Sequence, residues 1–466
     1  MFCKTSLYLL SMENLPVINA ALIKVTGVFS FSKKKISMFT QNGYSTIPLV
    51  ENLPGKDNPD YEKIKKQAVE STRKWYRDNY YREFASLMYT GDDVKHPMKA
   101  LQRQKEFAIK LFLGPHDKRR IIPAKCVNQE LFLFNNEVGI LSLTFEPEAL
   151  DFLKISDLTV ALKSFDTSME YNGEPCAFHE FISKELLAGI SLRGANVQAD
   201  DYSGSKFKIY SIISTEDPDD GKTYSRDKLV YEIGTGSRIG DMGSNGFNAP
   251  SEEYFQELMQ NSIKVFNNYT GLALLDSFTV IGQGVMKSKT ENFLSFNTYN
   301  RVYFAIYIFN LYIRYNIFRF NAIFNENPVK TRDEFQQFLN EYNFSYISFN
   351  FLPNIFHQKI HAAQNIDHEI EHFEKRLGGL ATSIQEDQEK RQATLLGIVS
   401  VLTGLSSFSD IFDLLEKFRM QCALDLSLFY TLLAILVILL SIPALAYLFP
   451  ESAKKTRKKL SGSTKK

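Results

Sequence analysis

The sequence predicts a mixed α/β (α+β) cytosolic domain, then a long helical stalk, then a C-terminal transmembrane hairpin of two helices. Three observations predict it. Residues 426–449, LSLFYTLLAILVILLSIPALAYLF, contain no charged side chain. Ahead of them, apolar residues recur with helical spacing at Ala363, Ile366, Ile370, Phe373, Leu377, Leu380 and Ile384. Before residue 290, short β-branched runs alternate with amphipathic stretches, the pattern of strands and helices sharing one domain.

Composition frames this reading. The chain has 466 residues, 44% of them hydrophobic and 23% charged, which excludes a disordered tail protein and a collagen-like chain. A mean hydropathy of −0.20 excludes a polytopic carrier. The net charge of +1 conceals an asymmetry. Residues 450–466 hold seven Lys or Arg against Glu451 alone, leaving 47 basic and 52 acidic residues in the remainder. Cys3, Cys126, Cys176 and Cys422 show no CxxC spacing and fit a reducing compartment. The opening MFCKTSLYLL lacks the long apolar run of a secretory leader, and from Met12 the chain reads directly into a strand.

Within the body, 1–295, strands are expected at 20–31, 130–134, 138–145, 158–165, 206–214, 228–233 and 277–285. Asn135 and Asn136, with Gly139 just beyond, mark a hairpin turn inside ELFLFNNEVGILSLTF. Helices are expected at 61–87, 98–113, 180–187, 252–269 and 297–324. The last is rich in aromatics but interrupted by Arg301, Arg314 and Arg319, so it is too short in uncharged length to cross a bilayer.

The segment LVYEIGTGSRIG follows an expected strand and holds Gly234, Gly236, Arg238 and Gly240. Glycine backbone amides with an arginine nearby suit phosphate, making this a candidate loop for a regulatory nucleotide. It resembles the glycine loops of methyltransferases and dinucleotide-binding folds. The third glycine of the dinucleotide fingerprint is replaced by Ile239, however, and too few βα units follow for a methyltransferase. No enzymatic activity is expected. The basic cluster Lys118, Arg119 and Arg120 is too small for direct nucleic-acid binding.

The stalk, 296–392, carries the apolar spacing as alternating steps of three and four, a coiled-coil seam that points to a homo-oligomer. His368-Glu369-Ile370-Glu371-His372 matches HExxH formally. Charged Glu371 inside the motif and the seam residues Ile370 and Phe373 argue against a zinc protease, leaving His368 and His372 as candidates for a weak metal site.

The first expected span, 393–409, is uncharged for seventeen residues, about 26 Å of helix; the second, 426–449, is about 36 Å. The basic tail, 450–466, and a body without an export signal both favour the cytoplasmic side, which needs an even number of crossings. This places the chain in the inner cell membrane, in contact with lipid, with an external acidic loop at 410–425. Asp410, Asp413 and Glu416 are then pore-mouth candidates, since a ring of carboxylates concentrates cations. Ser400, Thr403, Gly404 and Ser407 are pore-lining candidates, small or hydroxyl-bearing residues that permit close packing or line a wet channel.

This arrangement resembles the CorA family of divalent-cation channels, over about residues 120–460. ELFLFNNEVGILSLTF is the nearest local similarity. The resemblance implies a pentamer whose first span lines the pore and whose second faces lipid, with Mg2+ or another divalent cation as the transported species. The family's Gly-Met-Asn signature is missing from LTGLSSFSDIF (402–412), which implies a divergent branch. Some CorA-like proteins accompany CRISPR-type antiviral defence, and for these a nucleotide second messenger is the implied trigger. Three functional expectations follow: a cation channel gated by its cytosolic domain, a nucleotide-gated defence effector, and a non-conducting membrane scaffold.

Overall fold

The computed structural model describes residues 15–50, 53–88, 98–114, 119–192, 206–216, 224–240 and 250–422, with four further helical positions at 427, 430, 431 and 434. Side chains are described throughout these segments except at 83, 293, 380–387, 401, 404–412, 415 and 418–422. Two compact units divide at Phe373/Glu374.

The first unit is a mixed α/β domain built on one twelve-stranded sheet. Its elements run β1 (Ile18–Ser30), β2 (Ser45–Thr46), α1 (Tyr61–Asn79), α2 (Arg82–Met88), β3 (Met98–Arg103), β4 (Phe107–Leu113), β5 (Arg120–Phe134) and β6 (Val138–Glu146). They continue with α3 (Phe152–Lys163), β7 (Ser168–Tyr171), β8 (Glu174–Ala177), β9 (Lys208–Thr215), α4 (Arg226–Thr235), α5 (Glu252–Met259), β10 (Ser262–Ile263), β11 (Tyr269–Ala273) and β12 (Ser277–Gln283). Four helices close the described chain: α6 (Phe304–Ile323), α7 (Pro328–Tyr342), α8 (Phe351–Ala363) and α9 (Ile366–Cys422).

The strand order is β10-β11-β12-β9-β1-β6-β5-β4-β7-β8, with β3 beside β5 and β2 beside β3. Described pairs are antiparallel except β9 with β12. The hairpin expected at Asn135–Asn136 joins β5 to β6, and Glu137 takes a left-handed φ of 67° to close it. Gly139 is obligatory just beyond, because a Cβ there would sit 2.4 Å from the Phe29 ring on the paired strand.

Residues alternate between two faces, and helices cover both. One face buries Val25 and Phe29 of β1, Leu131 and Leu133 of β5, and Leu141 and Leu143 of β6 in a core shared with α3. The same face extends through Ile213 and Ile281 to Leu229 and Ile233 of α4. The opposite face meets α6. Phe134 stacks on Tyr312 with ring centroids 3.8 Å apart, Phe132 and Tyr210 meet Phe304, and Phe278 touches Tyr307 of α6 and Phe356 of α8.

Several sequence expectations are corrected here. Residues 98–113, rich in helix-favouring Ala, Leu, Gln and Lys, form β3 and β4, because both pair along β5 and sheet formation overrides local propensity. Of residues 158–165, expected as a strand, 158–163 belong to α3. Asp151 caps it by accepting from the backbone N–H of Leu153 (2.8 Å) and Lys154 (3.1 Å), and burial recurs at Phe152, Ile155, Leu158 and Leu162. Residues 228–233 are likewise helical, in α4, whose all-round burial produces a run that periodicity cannot distinguish from a strand. The helix expected over 252–269 stops at Met259, and its remainder supplies β10 and the start of β11.

The stalk expectation also changes. The first compact unit continues to Phe373, well past the 295/296 boundary. Ile366, Ile370 and Phe373, the opening residues of the seam, are buried inside it, with Phe373 against Phe320, Phe324 and Phe335. That half of the seam is intramolecular. In the second unit, α9 stays helical to Cys422, so residues 410–422 of the segment expected as an external loop are helix. Among the described residues, no helix is long and apolar enough to cross a membrane. The span expected at 426–449 lies outside the described residues, apart from the four isolated positions, as does the tail at 450–466.

Candidate functional site

Three places invite function: the uncharged part of α9, the glycine segment after α4, and a cavity on the α6 side of the sheet.

In α9, Leu395, Leu396, Ile398, Val399 and Leu402 are each between 45% and 61% exposed. At 100° per residue they cover about 160° of the helix circumference, far more than a stripe that packs on one neighbour. Ser400 and Thr403 are exposed too, and Thr403 Oγ1 donates to the Val399 carbonyl at 2.8 Å, so its proton is used within the helix. Gly404, Ser407 and Asp410 follow on the same helix, with side chains outside the described set. Asp413 and Glu416 are exposed. With Asp410 they recur every third residue and therefore share one side of α9. His368 and His372 are exposed one turn apart near its start, and no group of three or more potential ligands gathers among the described residues.

The glycine segment is occupied by its own structure. Gly234 lies in the last turn of α4. Gly236 caps the helix at φ 73°, its N–H bonded to the Ile233 carbonyl at 3.2 Å. Gly240 donates its N–H to Glu232 Oε1 at 2.9 Å, while Arg238 is exposed. The amides of Gly236 and Gly240 thus serve helix termination and a buried carboxylate. They do not form a phosphate cradle.

The cavity, about 730 Å3, has its floor on β5 and β6 and is roofed from the α6 side. Its polarity originates in a β-bulge. Across β5 and β6, Cys126 pairs with Phe145 but Asn128 pairs with Thr144, so Val127 is the extra residue. Without the bulge, strict alternation would turn Asn128 and Glu130 to the apolar core, the side that Cys126 faces. With it, they turn to the opposite face. The register then sets Asn128 beside Thr144, Thr144 beside Lys24, and Glu130 beside Ser142.

Lys24 Nζ reaches diagonally across β6 to Glu130 Oε2, 2.6 Å away, with the lysine side chain fully buried and the glutamate side chain 6% exposed. The ammonium also lies 4.0 Å from the centroid of the Phe304 ring, which adds a cation–π attraction to the ion pair. Around this pair, Asn128 Oδ1, Ser142 Oγ and Thr144 Oγ1 are buried without a hydrogen-bond partner. Asn19, Gln102, Asn300, Arg301 and Phe296 complete the wall, and a smaller chamber of about 70 Å3 shares Glu130, Asn300 and Arg301. Arg301 donates to the Pro48 carbonyl at 2.9 Å.

A second buried polar chain lies on the same side. His357 Nε2 donates to the Phe344 carbonyl (2.9 Å), and its Nδ1 accepts from Asn310 Nδ2 (3.1 Å). His361 lies between Asn310 Oδ1 (3.3 Å) and Asp367 Oδ1 (3.0 Å). Burial pushes His357 down to about 4. These two of the four stalk histidines therefore lie in the body.

Sequence reasoning missed the cavity, although one signal was present. Alternation through Leu141-Ser142-Leu143-Thr144 shows a strand with one polar face, in a segment whose partner strand carries Glu130. Only the bulge at Val127 tells which β5 residues join it. Compared with known protein families, with curated proteins and with solved structures, the chain has no match in any.

Proposed function

We propose that the chain is an oligomeric, CorA-like membrane channel or transporter that passes cations and is gated by its cytosolic body. One observation carries this reading: the uncharged stretch of α9 leaves its aliphatic side chains in the open over most of one side, and acidic positions follow within a turn. Each exposed leucine forgoes a good part of the about 1.5–3 kcal/mol that full burial would provide. Lipid or neighbouring copies would recover it. The uncharged 426–449 and the basic tail support the same orientation.

Reconstitution of the full chain in liposomes tests it. Proteoliposomes loaded with K+ or Mg2+ should release the ion faster than equally loaded protein-free vesicles, and Asp410→Asn with Asp413→Asn should slow that release. Membrane association without flux of any cation would leave the scaffold reading in its place.

The second reading, a nucleotide-gated membrane effector of antiviral defence, is favoured by a cavity of ligand size in the body whose wall carries the cations Lys289 and Arg301. Its trigger would not sit on the amides of Gly236 and Gly240, which are already engaged. Activation of flux by a nucleotide, with none in its absence, would distinguish it from a constitutive or metal-regulated channel.

A further inference from the structure

We infer that the cavity over β5 and β6 binds a small neutral ligand through vicinal hydroxyls: a sugar ring, either free or as the ribose of a nucleoside. The inference concerns the body alone and stands whether or not the chain conducts ions.

The unpartnered groups define what the ligand must offer. Asn128 Oδ1 only accepts, whereas Thr144 Oγ1 both donates and accepts, and both atoms are buried without a partner. Native structures rarely leave such atoms unanswered, because each costs about 1–3 kcal/mol. Asn128 and Thr144 face each other across the β5–β6 ladder, where opposed side chains stand about 5 Å apart. Two adjacent hydroxyls span that gap: one donates to Asn128, and its neighbour exchanges a hydrogen bond with Thr144. Glu130, one pleat further along β5, is positioned to accept from a third hydroxyl. Its other oxygen is committed to Lys24.

Charge argues for a neutral molecule. Each carboxylate at the wall already has a cation: Glu130 is held by Lys24, and Glu106 and Glu146 by Lys125 at 2.8 and 3.8 Å. A ligand cation would compete with these lysines. A ligand anion would meet acceptors on the floor, while the wall cations Lys289 and Arg301 lie outside β5 and β6, so the group seated on that floor is neutral. The amides of Asn19, Gln102 and Asn300 suit hydroxyls, which donate and accept, and Phe296 provides a half-buried apolar surface for the face of a ring. A volume of about 730 Å3 lies in the range of small-molecule sites and exceeds the needs of one monosaccharide.

The test titrates the full-length protein in detergent with glucose, galactose, mannose, maltose, adenosine and guanosine, following heat by calorimetry. At least one probe should bind, and Thr144→Val and Asn128→Leu should each weaken it about tenfold or more. Removing one hydroxyl of the diol from that probe, as in 2-deoxyglucose for glucose or 2′-deoxyadenosine for adenosine, should weaken it similarly against unmodified protein. That comparison needs no variant to fold. Binding confined to the sugars identifies a saccharide site, and binding confined to the nucleosides identifies a ribose site. Binding by no probe overturns the inference. So does binding that is unchanged both by the substitutions and by loss of the hydroxyl.

Discussion

The two faces of the central sheet are both covered by helices, yet they are built on different chemistry. The α3–α4 face is apolar throughout its centre, with Val25, Leu131, Leu141 and Leu143 almost fully buried. The α6 face holds Lys24, Glu130, Ser142 and Thr144 at the neighbouring register positions, and Asn310 and His357 in the helices above. Alternation places the two sets one residue apart on the same strands. The difference teaches that one sheet can carry two separate solutions to burial. One face gains its energy from burial, and the other accepts a cost in desolvated polar groups to keep a shaped, polar cavity.

The largest expected effect comes from breaking the ion pair on one side only. Lys24→Met leaves Glu130 buried and unpaired, and should destabilise the body by about 3–5 kcal/mol. Replacing both partners, as Lys24→Met with Glu130→Gln, should recover a large part of that loss. Chemical denaturation of the two single variants and the double variant measures the coupling. If each single substitution costs less than a typical surface change, the pair is not the electrostatic centre of its face.

On the opposite face, Leu141→Ala should cost about 2–5 kcal/mol through lost transfer energy and the void left behind. No second substitution on the cavity face should rescue it, because packing on the two faces shares no partners there. Gly139→Ala belongs to the same comparison. The Cβ would meet the Phe29 ring at 2.4 Å, so Phe29 must move, and denaturation should show destabilisation that Phe29→Leu partly relieves.

His357 makes the polar layer sensitive to pH. Burial is the main cause of its lowered pKa; the Phe344 carbonyl and Asp367 act in the opposite sense, while His361 reinforces burial. The folded chain takes up this proton near 4, whereas the unfolded chain does so near 6.5. Between those values the unfolded state binds more protons, so stability falls as pH drops from 6.5 to 4. It is fully present above that window and changes no further, on this residue's account, below it. The loss approaches about 3 kcal/mol. Denaturation midpoints of the wild type and His357→Gln, compared across the window, isolate it. Parallel profiles would remove His357 as the cause.

Much of this molecule was legible in its residues, and the failures have identifiable causes. β1, the β5–β6 hairpin with its Asn135–Asn136 turn, β9, β12 and the aromatic α6 follow from β-branched runs, turn residues and length. The misread elements are those in which tertiary context overrides local preference: β3 and β4 carry helix-forming residues held by β5, and α4 is buried on all sides. The seam from Ile366 to Phe373 has the spacing of a coiled coil, but that spacing equally describes a helix packed on its own domain, and here Phe320 and Phe335 receive it. The cavity escaped because it depends on one extra residue in β5. A bulge leaves no compositional trace, and without it the polar residues of β5 are assigned to the wrong face.

The smallest expected effect is the most discriminating. Thr144→Val exchanges a hydroxyl for a methyl of nearly the same shape at a position 8% exposed. On the α3–α4 face, a comparable exchange of a satisfied group would lose a hydrogen bond worth about 0.5–1.5 kcal/mol. At Thr144, Oγ1 has no partner to lose, so without a bound ligand the substitution should be neutral or stabilising by up to about 1 kcal/mol. A residue whose removal improves the unliganded fold is retained for something other than the fold. Thermal denaturation of Thr144→Val without added ligand measures this. A clear drop in stability would mean that Thr144 is structural and would leave the polar face without its argument for binding.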